Sequence, residues 1–326
     1  MIGTERARRR FRYDAPMRIL RALGIEREEE AARNLLLTGR VACFLTRQRE
    51  RIGSLADIEF SVTSQFGEDG IIDWLIERLE VPAHTFIEFG VEDYREANTR
   101  FLLQNRNWRG LVLDANERNI ARINEAAITW RHDLTAAAAF VTRDNIDSLI
   151  AGAGLTGEIG LLSIDLDGND YWVWERISVV SPIICVCEYN AVFGDTTPIT
   201  IPYDERFQRT RAHHSNLYFG ASIAALRHLA SRKGYVLAGT SSAGVNAFFV
   251  RSDYATRLEG RIASTDPAPS HLRESRDEQG RLTHARGAAR AGLIAHLPVV
   301  NVETGKTVLL KEIDPLYSEA WLRAQI

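Results

Sequence analysis

Five short segments of this chain end in residues able to hold a polar ligand or to take a proton. "HTFIEFG" ends with Glu88 and Gly90, and "RGLVLDANE" reaches Asp114. "AAFVTRD" brings Arg143 and Asp144, with Asn145 next; "EIGLLSIDLDGND" carries Asp165, Asp167 and Asn169; "SPIICVCEYN" ends with Glu188, Tyr189 and Asn190. A single acid in such a place has an ordinary use, since Asp and Glu cap the helix that follows. A set of acids at one edge is different, because clustered carboxylates repel one another and are costly to bury. A polar ligand or a cation would offset that cost. Asp165, Asp167 and Glu188, with Asn169, offer the oxygen ligands that Mg²⁺ prefers; alternatively, Asp167 and Asn169 only shape the turn around Gly168. For general-base work the candidates are Asp165, Asp167, Glu188 and the pair His213 and His214 in "RTRAHHSNLYFG". The two histidines read equally well as an exposed loop pair.

These residues need elements to bring them together. From Ser64 onward, apolar strands alternate with amphipathic helices. "EDGIIDWLIERLE" buries Ile71, Ile72, Leu75, Ile76 and Leu79 along one side. The five segments above are strands, and "REANTRFLLQNR", "ERNIARINEAA", "NIDSLIAGAG" and "YWVWERIS" are the helices between and after them. A long irregular segment, 191–216, follows the fifth strand. Then come the helix "ASIAALRHLASRKG" and the strands "YVLAGTS" and "GVNAFFVRS", joined by a turn so short that the two must be antiparallel neighbours. The pattern predicts an α/β fold: a doubly wound, mostly parallel seven-stranded sheet closed by an antiparallel hairpin. In such sheets ligands bind outside the carboxyl ends of the strands, where the strand order reverses. Nearly every parallel strand here delivers a carboxylate to that edge.

Gly90 opens what resembles a nucleotide-binding turn, but Glu92, Asp93, Tyr94, Arg95 and Glu96 follow where a phosphate-binding loop would carry more glycines. Asp114 lies 24 residues after Gly90, at the end of the second strand, where an acid accepts hydrogen bonds from the hydroxyls of a ribose. A ribose acceptor, one glycine for close backbone approach and several acids suit S-adenosylmethionine (SAM), which is cationic and carries no phosphate, better than a dinucleotide.

The segments "FIEFGVEDYREANTRFLLQNRNWRGLVLDAN" and "LLSIDLDGNDYWVWERI" resemble the FkbM-type branch of class I SAM-dependent methyltransferases. "SQFGEDGIIDWLIERL", "EYN", "YFGAS" and "GVNAFFVRS" continue the likeness, which covers roughly residues 60–252. It implies the class I methyltransferase sheet, SAM as cofactor, and O-methylation of a hydroxyl on a sugar or other natural-product-type molecule. Position by position it implies that Glu88, Gly90 and Asn98 belong to the cofactor loop. Asp114 takes the ribose, Asp144 and Asn145 edge the adenine slot, and Asp165 stands beside the methyl donor. The chain departs from the pattern in lacking a second loop glycine, with Asp93 and Tyr94 near its place. A metal-dependent enzyme of another class and a non-catalytic binding protein on the same fold stay open as alternatives.

The remaining sequence sets bounds. With 326 residues, 45% hydrophobic and 25% charged, the composition is that of a soluble globular protein. The net charge of −3 supplies no general attraction to nucleic acid or an anionic membrane. No segment reads as a signal peptide or approaches the length of a membrane span, so the expected location is the cytoplasm. Cys185 and Cys187 fall on one side of a strand and read as buried thiols. Residues 1–60 are expected to be a helical extension with a basic cluster from Arg6 to Arg12. It is read as a lid, a homo-oligomer contact through its helices, or a partner surface. Residues 61–254 form the cofactor-binding domain. Residues 255–326 are a C-terminal extension of loops, one or two short strands and a helix. Trp172 and Trp174 cannot share a helix face, so one is core; the other, like Tyr203 and Phe207, is available to an acceptor pocket.

Overall fold

The computed structural model describes residues 30–325; the basic cluster from Arg6 to Arg12 lies outside them. The strands are β1 (Thr85–Phe89), β2 (Arg109–Asp114), β3 (Leu134–Ala138), β4 (Gly157–Ile164), β5 (Val180–Glu188), β6 (Ile199–Thr200), β7 (Tyr235–Thr240), β8 (Asn246–Arg251), β9 (Pro298–Asn301) and β10 (Thr307–Leu309). The helices that matter below are α1 (30–47), α2 (Glu68–Leu79), α3 (Arg100–Arg106), α4 (Glu117–Glu125), α5 (Ala127–Arg131), α6 (Ile146–Gly152), α7 (Asp170–Arg176), α8 (Arg209–Ala212) and α9 (Ile223–Lys233).

The main sheet has the order β3-β2-β1-β4-β5-β8-β7. β1 to β5 are parallel, and β8 runs antiparallel to both β5 and β7. This is the expected doubly wound sheet closed by an antiparallel hairpin, the class I methyltransferase arrangement. The alternation of each strand explains its two cores. In β1, Ile87 and Phe89 point into one apolar layer and Phe86 into the other. In β5, Cys185 and Cys187 point together into the first layer as buried free thiols, while Ile184 and Val186 enter the second. The five apolar residues of α2 named from the sequence are all buried in that second layer. Trp174 is core and packs on Phe249, with ring centroids 5.0 Å apart. Trp172 is half-buried, and its Nε1 donates to the Ile201 carbonyl at 2.9 Å.

Four features differ from the sequence expectation. β3 is the run "LTAAA", which ends at Ala138 rather than at Asp144. Its alanines have weak strand propensity, and the more β-like "FVT" that follows lies past the end of the sheet. α3 starts only at Arg100 rather than at Arg95, because the amides of Ala97, Asn98 and Thr99 bond the Thr63 carbonyl and the Glu88 carboxylate instead of a preceding helical turn. α1 packs inward through Gly39 and Cys43 but leaves Leu37, Val41, Phe44 and Leu45 exposed, so most of its apolar residues face away from the body. Finally, the C-terminal extension is joined to the segment after β5: β6 pairs with β9, and β9 with β10, in a second antiparallel sheet over its own apolar cluster. No described helix is long and apolar enough to cross a membrane.

The parallel strands meet most tightly where β1 and β4 end. Gly90 has φ +73°, and its N–H donates to the Leu113 carbonyl at 2.9 Å. A Cβ there would overlap the Asp165 carbonyl oxygen. The glycine is therefore required by a backbone-to-backbone approach within the protein. Gly90→Ala is expected to cost at least about 2 kcal/mol of unfolding free energy, from left-handed strain and overlap together. Gly154→Ala has a similar φ of +74° but open space around it, so it should cost only about 1–2 kcal/mol. Urea unfolding of the two variants checks the difference.

Candidate functional site

The carboxyl ends of β1, β2, β4 and β5 open into a cavity of about 600 Å³, within the range of small-molecule sites. It lies at the switch point between β1 and β4, where strand order reverses. Among the described residues, seven carboxylates line it (Glu88, Glu92, Glu96, Asp114, Asp165, Asp167 and Glu188) against one guanidinium, that of Arg209.

The acids fall into two groups by what their oxygens bind. Glu88 is buried and fully engaged: Oε1 accepts from Asn98 N at 2.8 Å, and Oε2 from the Thr99 N–H and hydroxyl. It holds the start of α3 in place, where an anion also meets the positive end of the helix. Asn98 lies in the same cavity wall and donates its side-chain amide to Ser163 Oγ at 3.1 Å. Asp170 is buried and accepts from Leu166 N (2.8 Å) and Gly168 N (3.0 Å), closing the turn that displays Asp165, Asp167 and Asn169. Asp69 accepts from the amides of Val62, Thr63 and Ser64, and Glu68 from those of Phe66 and Gly67 and from Asn246 Nδ2. The "SQFGED" segment is thus a loop organised by two buried acids, and it sets Gln65 at the rim of the cavity. Asp114 is half-buried. Its Oδ2 accepts from Glu92 N at 2.8 Å and its Oδ1 from Asn116 N at 2.7 Å, which leaves one lone pair on each oxygen for a ligand.

Asp165 and Glu188 form the second group. With Asp167 they place three carboxylate oxygens within 4.8 Å of one another. Glu188 is 8% exposed and its Oε2 has no hydrogen-bond partner; the Oδ1 of Asn169, 6% exposed and in the same wall, also has none. Burial, followed by the charge of Asp167, holds the Asp165 carboxyl well above the usual carboxylate range. Burial, followed by the charge of Asp165, does the same for Glu188. Arg209 opposes this at both acids, and the backbone N–H of Asp167 opposes it at Asp165. Arg209 bonds Asp167 Oδ1 at 2.7 Å, reaches Glu274 at 3.5 Å, and lies over the Phe219 ring at 3.7 Å.

Several sequence-named residues stand elsewhere. Asp144 and Asn145 do not line the cavity, because β3 already ends at Ala138. Asp144 is solvent-exposed beside Arg143, while Asn145 braces the wall from behind, accepting from Thr142 N and donating to the Phe140 carbonyl. Ala139, Phe140 and Val141 occupy the position expected of them. His213 and His214 also lie outside the cavity wall. His213 Nδ1 is 2.7 Å from Ser215 Oγ, and its ring packs on His214 and His296, so the pair orders its own loop. Tyr203 does not reach the cavity, whereas Phe207 does, against Gly168. The residues that sequence reasoning missed are Arg209, Gln65, Asn246 and Phe140. Arg209 carried no signal because arginine is common throughout the chain, and Phe140 was hidden inside a misplaced strand.

The engaged acids make stability depend on pH. Burial raises the Glu88 carboxyl from its ordinary 4.5 to about 7 despite its hydrogen bonds. A carboxyl whose folded value is raised stabilises the fold below its unfolded value and loses that contribution as pH rises through the folded value. Unfolding free energy should therefore drop between about pH 5 and pH 8, with Glu88 supplying on the order of 2–3 kcal/mol. The gap between urea midpoints at the two pH values should narrow in Glu88→Gln, the remainder belonging to acids such as Asp69 and Asp170, which burial raises to about 6.

No protein-family model matches this sequence, and no curated protein is similar to it. Solved structures resemble this chain at low identity and low TM-score. The SAH-bound N-terminal domain of EvdMO1 is 12% identical, with TM-score 0.39, over 57% of this chain and 80% of that one. A SAM-dependent methyltransferase from Clostridium acetobutylicum is 8% identical, with TM-score 0.36, over 56% and 90%. An O-methyltransferase family protein from Burkholderia thailandensis is 13% identical, with TM-score 0.35, over 57% and 59%.

Proposed function

We propose that this chain is a SAM-dependent methyltransferase that acts on a hydroxyl oxygen of a small molecule of the sugar or natural-product type. The observation that carries the reading is one cavity at the switch point with Asp114 at the end of β2 and the unengaged Glu188 at the end of β5. Its walls suit SAM. They are strongly negative, which favours a cationic sulfonium and ammonium and disfavours a pyrophosphate. Asp114 keeps a lone pair on each oxygen for the ribose hydroxyls, and Phe140 offers an exposed aromatic face for the adenine. Gly90 and Asn98 line the same cavity and would hold the methionine end.

When bound, SAM supplies an electrophilic methyl group on sulfur. The chain's own part is to orient the acceptor oxygen and take its proton. Glu188 is suited to taking that proton. It is buried, its Oε2 has no partner among the described residues, and burial raises its affinity for protons above that of an ordinary carboxylate. Asp165 disfavours negative charge on Glu188 and so contributes to that affinity. Calorimetry with SAM and its demethylated product SAH tests the reading. Binding of both is expected, with about ten- to hundredfold weaker affinity in Asp114→Ala; absence of binding to either would sink it and leave the non-catalytic and other-enzyme alternatives.

A second reading concerns a divalent cation. It is favoured by the three converging carboxylates together with the partnerless Glu188 Oε2 and Asn169 Oδ1, a hard-oxygen set that fits Mg²⁺ or Mn²⁺. Those residues would hold the ion, and its charge would acidify a nearby hydroxyl. Spin-resonance titration with Mn²⁺ is expected to show one site, absent in Glu188→Gln and Asp167→Asn. A wild-type protein that leaves all Mn²⁺ free would exclude the ion.

A further inference from the structure

α1 is fixed to the body along one side. A Cβ on Gly39 would overlap the side chains of Val62 and Phe101, Asn105 donates to Cys43 Sγ at 3.6 Å, and Arg47 pairs with Asp73 at 2.7 Å. Leu37, Val41, Phe44 and Leu45 share the opposite side, at the spacing i, i+4, i+7 and i+8 of a single helix face. They are 56%, 60%, 66% and 60% exposed. Single apolar side chains are ordinary on a protein surface, but a continuous stripe of them marks a contact site.

The charges beside the stripe indicate what it meets. From residue 31 to residue 49 the chain carries Arg33, Arg40, Arg47 and Arg49 and no acid. Arg33 and Arg40 are exposed, and helical spacing puts them along one flank of the stripe, next to Leu37 and Phe44. Two copies packed stripe to stripe would set arginine against arginine, with no acid between 31 and 49 to answer them. An anionic bilayer surface suits both parts. Its acyl chains take the apolar stripe, and its headgroups take guanidinium groups carried on flexible apolar stems. The sequence before α1 adds to the positive charge, with seven arginines against Glu5 and Asp14 in residues 1–25. The acidic run "EREEE" at 26–30 does not reverse the excess: residues 1–49 hold twelve arginines and six acids, although the whole chain has 40 basic and 43 acidic residues. No described helix is long and apolar enough to span a bilayer, so α1 would lie in its plane.

We propose that α1 is an interfacial anchor that docks this chain on an anionic lipid bilayer. Leu37, Val41, Phe44 and Leu45 enter the acyl boundary, and Arg33 and Arg40 stay among the headgroups. Through Gly39 and Val62 the anchor rests on the loop that carries Gln65 to the rim of the cavity. The inference stands apart from the methyl-transfer reading, since none of the anchor residues lines that cavity.

The test is co-sedimentation of the full chain with phosphatidylcholine vesicles, with and without phosphatidylglycerol. Binding to the mixed vesicles is expected, weaker binding to phosphatidylcholine alone, and a fall in binding as salt rises. The double variant Val41→Glu/Phe44→Glu should bind the mixed vesicles about tenfold more weakly or worse, with the urea midpoint unchanged because both side chains are exposed. If that variant does not fold, Leu37→Gln/Leu45→Gln should show a smaller loss in the same direction. Wild type that ignores the mixed vesicles, equal binding to both kinds, or binding indifferent to these substitutions would each overturn the proposal. So would a concentration-dependent dimer, seen by sedimentation equilibrium without lipid and abolished by Val41→Glu/Phe44→Glu, because the stripe would then belong to a second copy.

Discussion

A buried carboxylate has to be compensated, and the way each one is compensated organises this molecule. Glu68, Asp69, Glu88 and Asp170 are compensated by backbone amides of neighbouring loops. Each of these acids thereby fixes a loop that would otherwise have no regular structure to hold it. The loop before α2, the start of α3 and the turn after β4 are all shaped this way, and all three border the cavity. Among the described residues Asp165 has only the amide of Asp167 and Glu188 has none, and burial together with repulsion from neighbouring carboxylates raises the proton affinity of both. The distinction between scaffold and chemistry is therefore visible in hydrogen bonding among residues of the same type.

That distinction also explains what the sequence could and could not convey. The alternation of apolar strands and amphipathic helices, together with the short turn before β8, was enough to specify the sheet and its hairpin. The acids at the ends of β1, β2, β4 and β5 were legible because strand ends converge in such a sheet. Asp144 and Asn145 were misplaced because alanines make a poor strand signal and the adjacent "FVT" makes a better one. His213 and His214 drew attention by residue type, but their partners are Ser215 and His296. Which acids were already occupied depended on loop amides that no periodicity reveals. The second sheet was illegible for a related reason: β6 is two residues long and finds its partner about a hundred residues later.

The glycine at position 90 shows how one residue type can serve two demands. Its place in the sequence suggests close approach of a ligand. In the fold, the space its missing side chain leaves is already taken by the Asp165 carbonyl, so the two strand ends are pressed together. The same contact brings the β1 loop and the β4 turn to opposite sides of one narrow site. A loop with a single glycine is sufficient here because the amides that fix it answer to Asp114 and Glu88.

Arg209 gives the site a property that neither half has alone. Its guanidinium joins Asp167 on the turn after β4 to Glu274 in the C-terminal extension, and its Nε bonds the Asn216 carbonyl. The turn after β4 and the C-terminal extension are therefore joined through one cation, and each carboxylate competes with the other for it. The charge that offsets the buried Asp165 and Glu188 is thus itself held in part from the C-terminal extension, a stretch of chain far in sequence from the sheet whose acids it balances.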